Sequence, residues 1–149
     1  MKSIFNPSDY HELIKRIECI QHNSPSLWGK MDVAQMMAHC NGTMKVAVGD
    51  LKIDRSFLGK LIGGMVKKSF LSEKPFSRNS PTAKEFVVRD PKDFTKEKAV
   101  LLSYVKRFHE GGEKGATTHP HSFFGELTPQ QWGESQWKHL DHHLRQFGA

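Results

Sequence analysis

Thr128-Pro129-Gln130-Gln131-Trp132-Gly133-Glu134-Ser135-Gln136-Trp137-Lys138-His139-Leu140-Asp141-His142-His143-Leu144-Arg145-Gln146-Phe147-Gly148 closes the chain and decides its fold. The stretch opens with helix-start signals. Thr128 can accept the orphan N–H groups of a first turn, Pro129 fits the first helical position, and Gln131 completes a capping box. Gly148 suits a left-handed stop. Between these ends Trp137, Leu140, Leu144 and Phe147 recur at three and four residues, the pattern of a buried helical stripe. At about 100° per residue, His139 and His143 stack on one side at the margin of that stripe, while His142 is expected to face water. Two imidazoles at i and i+4 can grip one divalent ion, but a zinc-like ion needs at least a third protein ligand.

Asp32-Val33-Ala34-Gln35-Met36-Met37-Ala38-His39-Cys40 suggests where that ligand lies. Asp32 and Gln35 form a second capping box, and Met36, Cys40, Met44 and Ala47 make an apolar stripe with His39 at its side. Packing the two apolar faces together lets His39, His139 and His143 converge. Three histidines leave an open position on the ion, the arrangement of a catalytic site.

Working outward, Asn6-Pro7 opens a first helix with Tyr10, Leu13, Ile17 and Ile20 inward and His11 and His22 in water. Trp28 packs on the approach to the second helix, which ends near Gly49-Asp50. Phe57 to Leu71 reads as a short extra helix interrupted near Gly63-Gly64. It is expected to pack on the other helices or to form a dimer contact, with an amphipathic surface segment as the alternative. Residues 73–83 form an extended connector, and Glu85 to Arg89 irregular chain. Thr95 to Glu110 is a third main helix with Phe108 inward, stopped by Gly111-Gly112. The long loop from Gly111 to Leu127 carries His119 and His121 and is a functional candidate. The expected fold is all-α: one domain, residues 1–149, built as a four-helix bundle with an extra helix in the crossover between the second and third main helices.

Composition agrees with a globular chain, 37% apolar and 26% charged. The net charge is +6, but the lysines and arginines themselves are dispersed, apart from Lys67-Lys68, and lack interleaved aromatics, which argues against a nucleic-acid partner. Cys19 and Cys40 both fall at core-like helix positions and read as buried free thiols of a reducing compartment. Met1 to Pro7 has no apolar leader core and no apolar run is long enough to span a bilayer, so a cytoplasmic protein without a membrane partner is expected.

The histidine pattern, with Gln146 three residues beyond His143, resembles the DinB/YfiT-like metalloenzyme superfamily. Trp28-Gly29-Lys30-Met31, His119 to Trp132 and His139 to Phe147 are similar to an uncharacterised bacterial branch of it, and the resemblance spans nearly the whole chain. Leu140 stands where better-studied members often carry a polar residue. The resemblance implies a DinB-like bundle, often a homodimer, with His39, His139 and His143 as metal ligands and zinc, nickel or iron as occupant. It also implies a small-molecule substrate and, in several relatives, transferase or isomerase chemistry on a low-molecular-weight thiol. A metal-dependent hydrolase and a non-catalytic basic binding protein are the alternative functions. Gln146 can orient a ligand or a bound water, or be a partly exposed polar residue near the helix end. His119 and His121 can fold over the last helix near Trp132, as loop packing or as a fourth ligand or acid/base group. No catalytic side chain beyond these is identified.

Overall fold

The computed structural model describes residues 1–149 and is all-helical. Five α-helices follow in order: α1 (Pro7–Cys19), α2 (Val33–Ala47), α3 (Phe57–Phe70), α4 (Phe94–Gly111) and α5 (Pro129–Gln146), with 3₁₀ turns at Lys84–Phe86 and Gly112–Gly115. There are no strands; a single isolated bridge pairs His121 with Gly125.

The helix ends follow the local chemistry. Asn6 accepts from the N–H groups of Ser8 and Asp9 ahead of Pro7. Both expected capping boxes form, Asp32 with Gln35 and Thr128 with Gln131. Asp93 caps α4 through the N–H of Lys96. At the other end of α5, Gly148 takes φ +79°. The Gly148 N–H then reaches the Arg145 carbonyl and the Ala149 N–H the Leu144 carbonyl, the paired bonds of a Schellman motif.

One cluster of nineteen buried apolar residues draws on α1, α2, α4 and α5. Leu13 and Ile17 come from α1, Met36, Cys40, Met44 and Ala47 from α2, Leu101, Val105 and Phe108 from α4, and Trp137, Leu140, Leu144 and Phe147 from α5 and its end. α2 packs most extensively on α4; α1 touches α4 and α5, and α2 touches α5. This brings the flanks of α2 and α5, where the histidines sit, against each other. Asp141 is also buried, and ties α5 to α1 through Arg16 (2.8 Å) with Arg145 alongside.

Four expectations need correction. α3 runs unbroken through Gly63-Gly64. Its glycines permit contact rather than a break: a Cβ at Gly63 would lie 1.9 Å from the Phe123 carbonyl oxygen, and one at Gly59 2.7 Å from it. Cys19 is exposed, because it is the last residue of α1 and the chain turns there; only Cys40 is a buried thiol. His142 does not face open water. The segment after α3 brings Phe76 against it (ring centroids 6.0 Å), and Trp28 covers it from another side (5.6 Å). Thr95 to Glu110 lengthens by a residue at each end, with Phe94 at the start of α4.

Candidate metal centre

His39 projects from α2, and His139 and His143 from successive turns of α5. Their ring centroids stand 4.7–5.0 Å apart. His39 and His143 are buried and His139 is half-buried. One nitrogen from each ring lies within 4.8 Å of the other two, and the Nε2 atoms of His39 and His139 are 3.0 Å apart.

The outer nitrogens explain which way each ring presents its lone pair. His39 Nδ1 lies 2.9 Å from the backbone carbonyl of Phe86, which can only accept. That nitrogen therefore carries the proton, and Nε2 is left with a lone pair. Gln146 donates through Nε2 to the Trp28 carbonyl (2.7 Å), which turns its Oε1 to His143 Nδ1 (2.8 Å). His143 Nδ1 is again the donor. Thr43 gives its hydroxyl proton to the Cys40 carbonyl (3.0 Å), and its oxygen stands 3.4 Å from His139 Nδ1. His39 and His143 are thus held with Nδ1–H outward, the tautomer that binds a metal through Nε2, and His139 turns its Nε2 toward that of His39.

Burial keeps the rings neutral. Desolvation pushes His143 down to about 3, with repulsion from His39 adding and the Gln146 bond opposing. Desolvation likewise lowers His39, against the Phe86 bond. His139 falls well below the ordinary histidine value, first by desolvation and then by its neighbours His143 and His39. Neutral imidazoles are the form that ligates a metal.

The donor set passes a test of fit. The Nε2 atoms of His39 and His139 stand 3.0 Å apart, a spacing that a shared proton or a bound cation between them accounts for. Two nitrogens each bonded to one tetrahedral zinc-like ion stand about 3.3 Å apart, close to this separation. Imidazole nitrogens suit zinc, nickel and iron alike.

The remaining candidates divide. Gln146 is 3% exposed and holds His143 in place. Gly29 makes room for it: at φ +82°, a Cβ there would meet Gln146 Nε2 at 2.6 Å. His121 does fold over Trp132 (5.5 Å), between Phe124 and Phe70. Its Nδ1 accepts from the N–H groups of Phe123 and Phe124, and burial lowers it to about 4. It lies outside the three-histidine group, as does His119, whose Nε2 is 3.3 Å from the Ile53 carbonyl. Trp132 is 1% exposed, and its indole N–H has no partner. Cys40 turns away toward Met36, and burial raises its thiol far above the range of a reactive one.

Two surface cavities, of about 500 and 250 Å³, are lined by none of the three histidines. His142 lines the smaller, with Trp28, Phe76 and Arg78. Sequence reasoning missed two supports of the site. Thr43 was within reach, four residues after His39 and so on the same side of α2. Phe86 was not, because its carbonyl arrives from a 3₁₀ turn 47 residues away.

A sequence profile of the family described as "Protein of unknown function (DUF1569)" matches residues 5–149. No curated protein and no solved structure matches the chain.

Proposed function

We propose, from the premise that this chain belongs to the DUF1569 family of proteins of unknown function, that it binds one divalent metal through the Nε2 atoms of His39, His139 and His143. The proposal includes the architecture: one DinB-like four-helix-bundle domain of α1, α2, α4 and α5, with α3 added in the crossover. The observation that carries it is the convergence of the three rings: one nitrogen from each lies within 4.8 Å of the other two, and the Nε2 atoms of His39 and His139 stand 3.0 Å apart.

A bound ion would supply Lewis-acid chemistry to a ligand at its remaining position. The chain's own groups do the positioning: Phe86, Thr43 and Gln146 hold the three rings. Among activities we favour transfer or isomerisation on a low-molecular-weight thiol, because the histidine pattern resembles DinB-like proteins. A hydrolase or a basic binding protein would keep the same fold. Homodimerisation accompanies this reading on the same ground, and cytoplasmic residence is proposed with it. Loss of an electrophile that requires both added thiol and His143 would support the transferase, whereas turnover without thiol would point to hydrolysis.

Metal binding itself is tested by elemental analysis of purified protein beside His39→Ala and His143→Ala variants. About one divalent ion per chain is expected in the parent. Both variants should lose most of it. Full metal content in both variants would remove the ligand assignment.

A further inference from the structure

The sequence places the apolar residues of α3 where they would pack inward, but the structure seats this helix the other way. Its inward edge is Gly59 and Gly63, laid against the backbone of Phe123. The apolar residues are left outside: Phe57 is 78% exposed, Leu58 54%, Leu61 65%, Ile62 37% and Met65 81%. At 100° per residue these five fall within an arc of about 140°, one continuous face. Soluble surfaces rarely gather so many large apolar side chains unless something covers them.

Charge identifies what covers them. Residues 51–89 hold nine Lys and Arg against three Asp and Glu, and so carry the whole net charge of +6. The other 110 residues hold thirteen of each sign. α3 itself contains Lys60, Lys67 and Lys68 and no acidic residue. A second copy brought face to face would set two such segments of like charge together, at a cost. A negatively charged surface would not. At the same spacing Lys68 falls within this arc and Lys60 beyond its Phe57 edge, while Lys67 reaches the Glu126 carbonyl. An amphipathic helix with an exposed Phe/Leu/Met face and lysines in and beside it has the character of one that lies in the interface of an anionic bilayer, its lysine stems reaching to the headgroups. No helix of the chain is long and apolar enough to cross a membrane.

We infer that α3 is a peripheral docking element for an anionic lipid surface, with Phe57, Leu58, Leu61, Ile62 and Met65 entering the interface and the surrounding basic residues meeting the headgroups. This revises the expectation of a protein with no membrane contact. It is independent of the metal proposal, since none of these residues touches the histidine cluster.

The test is flotation of the purified protein with phosphatidylcholine vesicles, with and without one-third phosphatidylglycerol. The parent protein should float with the mixed vesicles and stay in solution with phosphatidylcholine alone. Raising the salt should release it. Replacing Lys60 and Lys68 by Gln should weaken partitioning about twenty-five-fold, about fivefold for each lysine at an anionic surface. The doubly substituted Leu61→Ser, Met65→Ser protein should lose binding by at least about tenfold while melting at the parent temperature, because both side chains are exposed. No flotation with either vesicle, or equal flotation with both, would overturn the assignment. So would a parent protein that sediments as a dimer and becomes monomeric on the Leu61→Ser, Met65→Ser change, since a second copy would then be the occupant.

Discussion

Gln146 is where the chemistry of single residues is clearest. An amide has one end that donates and one that accepts, so its bond to the Trp28 carbonyl leaves only the oxygen for His143. This dictates the tautomer of His143. Gln146→Ala should therefore lower metal affinity by about ten- to a hundredfold, the usual cost of losing such a support. It should do so without unfolding the protein, and competition with a chromogenic chelator would measure it. Unchanged affinity would mean that His143 is oriented by its packing alone. Gly29 belongs to the same arrangement. An alanine there would press on Gln146 and strain a backbone at φ +82°, so Gly29→Ala should weaken the same binding. His39 and His139 have partners of other kinds, a backbone carbonyl and a threonine hydroxyl.

Among the elements, α2 and α5 behave as their sequences suggest: caps, stripes and stops agree, and Leu140 and Leu144 bury as expected, while α4 keeps its expected stripe and stop but starts earlier, at the cap Asp93. α3 does not. Its apolar periodicity is real, but periodicity reports only that one face differs from the other, not which of them the rest of the chain will cover. The glycine spacing, Gly59 to Gly63, decided that instead, by letting the Phe123 backbone approach within contact distance. Gly63→Val should force α3 away from the loop at residues 121–125, since the added carbons have no space there. Hydrogen exchange would rise in α3 and in that loop and stay unchanged in α5, where the core contacts are unaffected. Protection left intact in α3 would show that its seat does not depend on that glycine.

At the level of the whole molecule, neutral buried histidines link stability to pH. His121 titrates near 4 when folded, because burial disfavours its charge, and near 6.5 when unfolded. The unfolded chain therefore takes up the proton first. Stability is complete above about pH 6.5 and falls as pH drops toward 4; His39, His139 and His143 are lowered in the same direction and add to the loss. Each such group contributes a slope of up to about 1.4 kcal/mol per pH unit in that window. Metal-free protein should thus show a melting temperature that declines steadily from pH 7 to pH 5. If the proposed site holds metal, metal in excess should raise the curve at pH 7, since only the folded chain gathers the three histidines. A flat profile over that range would mean that these rings gain protons equally in both states.

Local rules alone settled much of this protein. Cap residues, glycine stops and apolar spacing act within a few neighbours, so the main helices, the inward stripe of each and the pairing of His139 with His143 on one side of α5 could all be read from the chain. His39 could be named as their partner because two apolar faces must meet somewhere, and each carries a histidine at its margin. Tertiary structure alone decided the rest. The Phe86 carbonyl behind His39, the cover over His142, the exposed Cys19 and the outward apolar face of α3 all follow from how distant segments meet. Those contacts depend on chain reach and shape rather than on local pattern, and no window of neighbouring residues contains them.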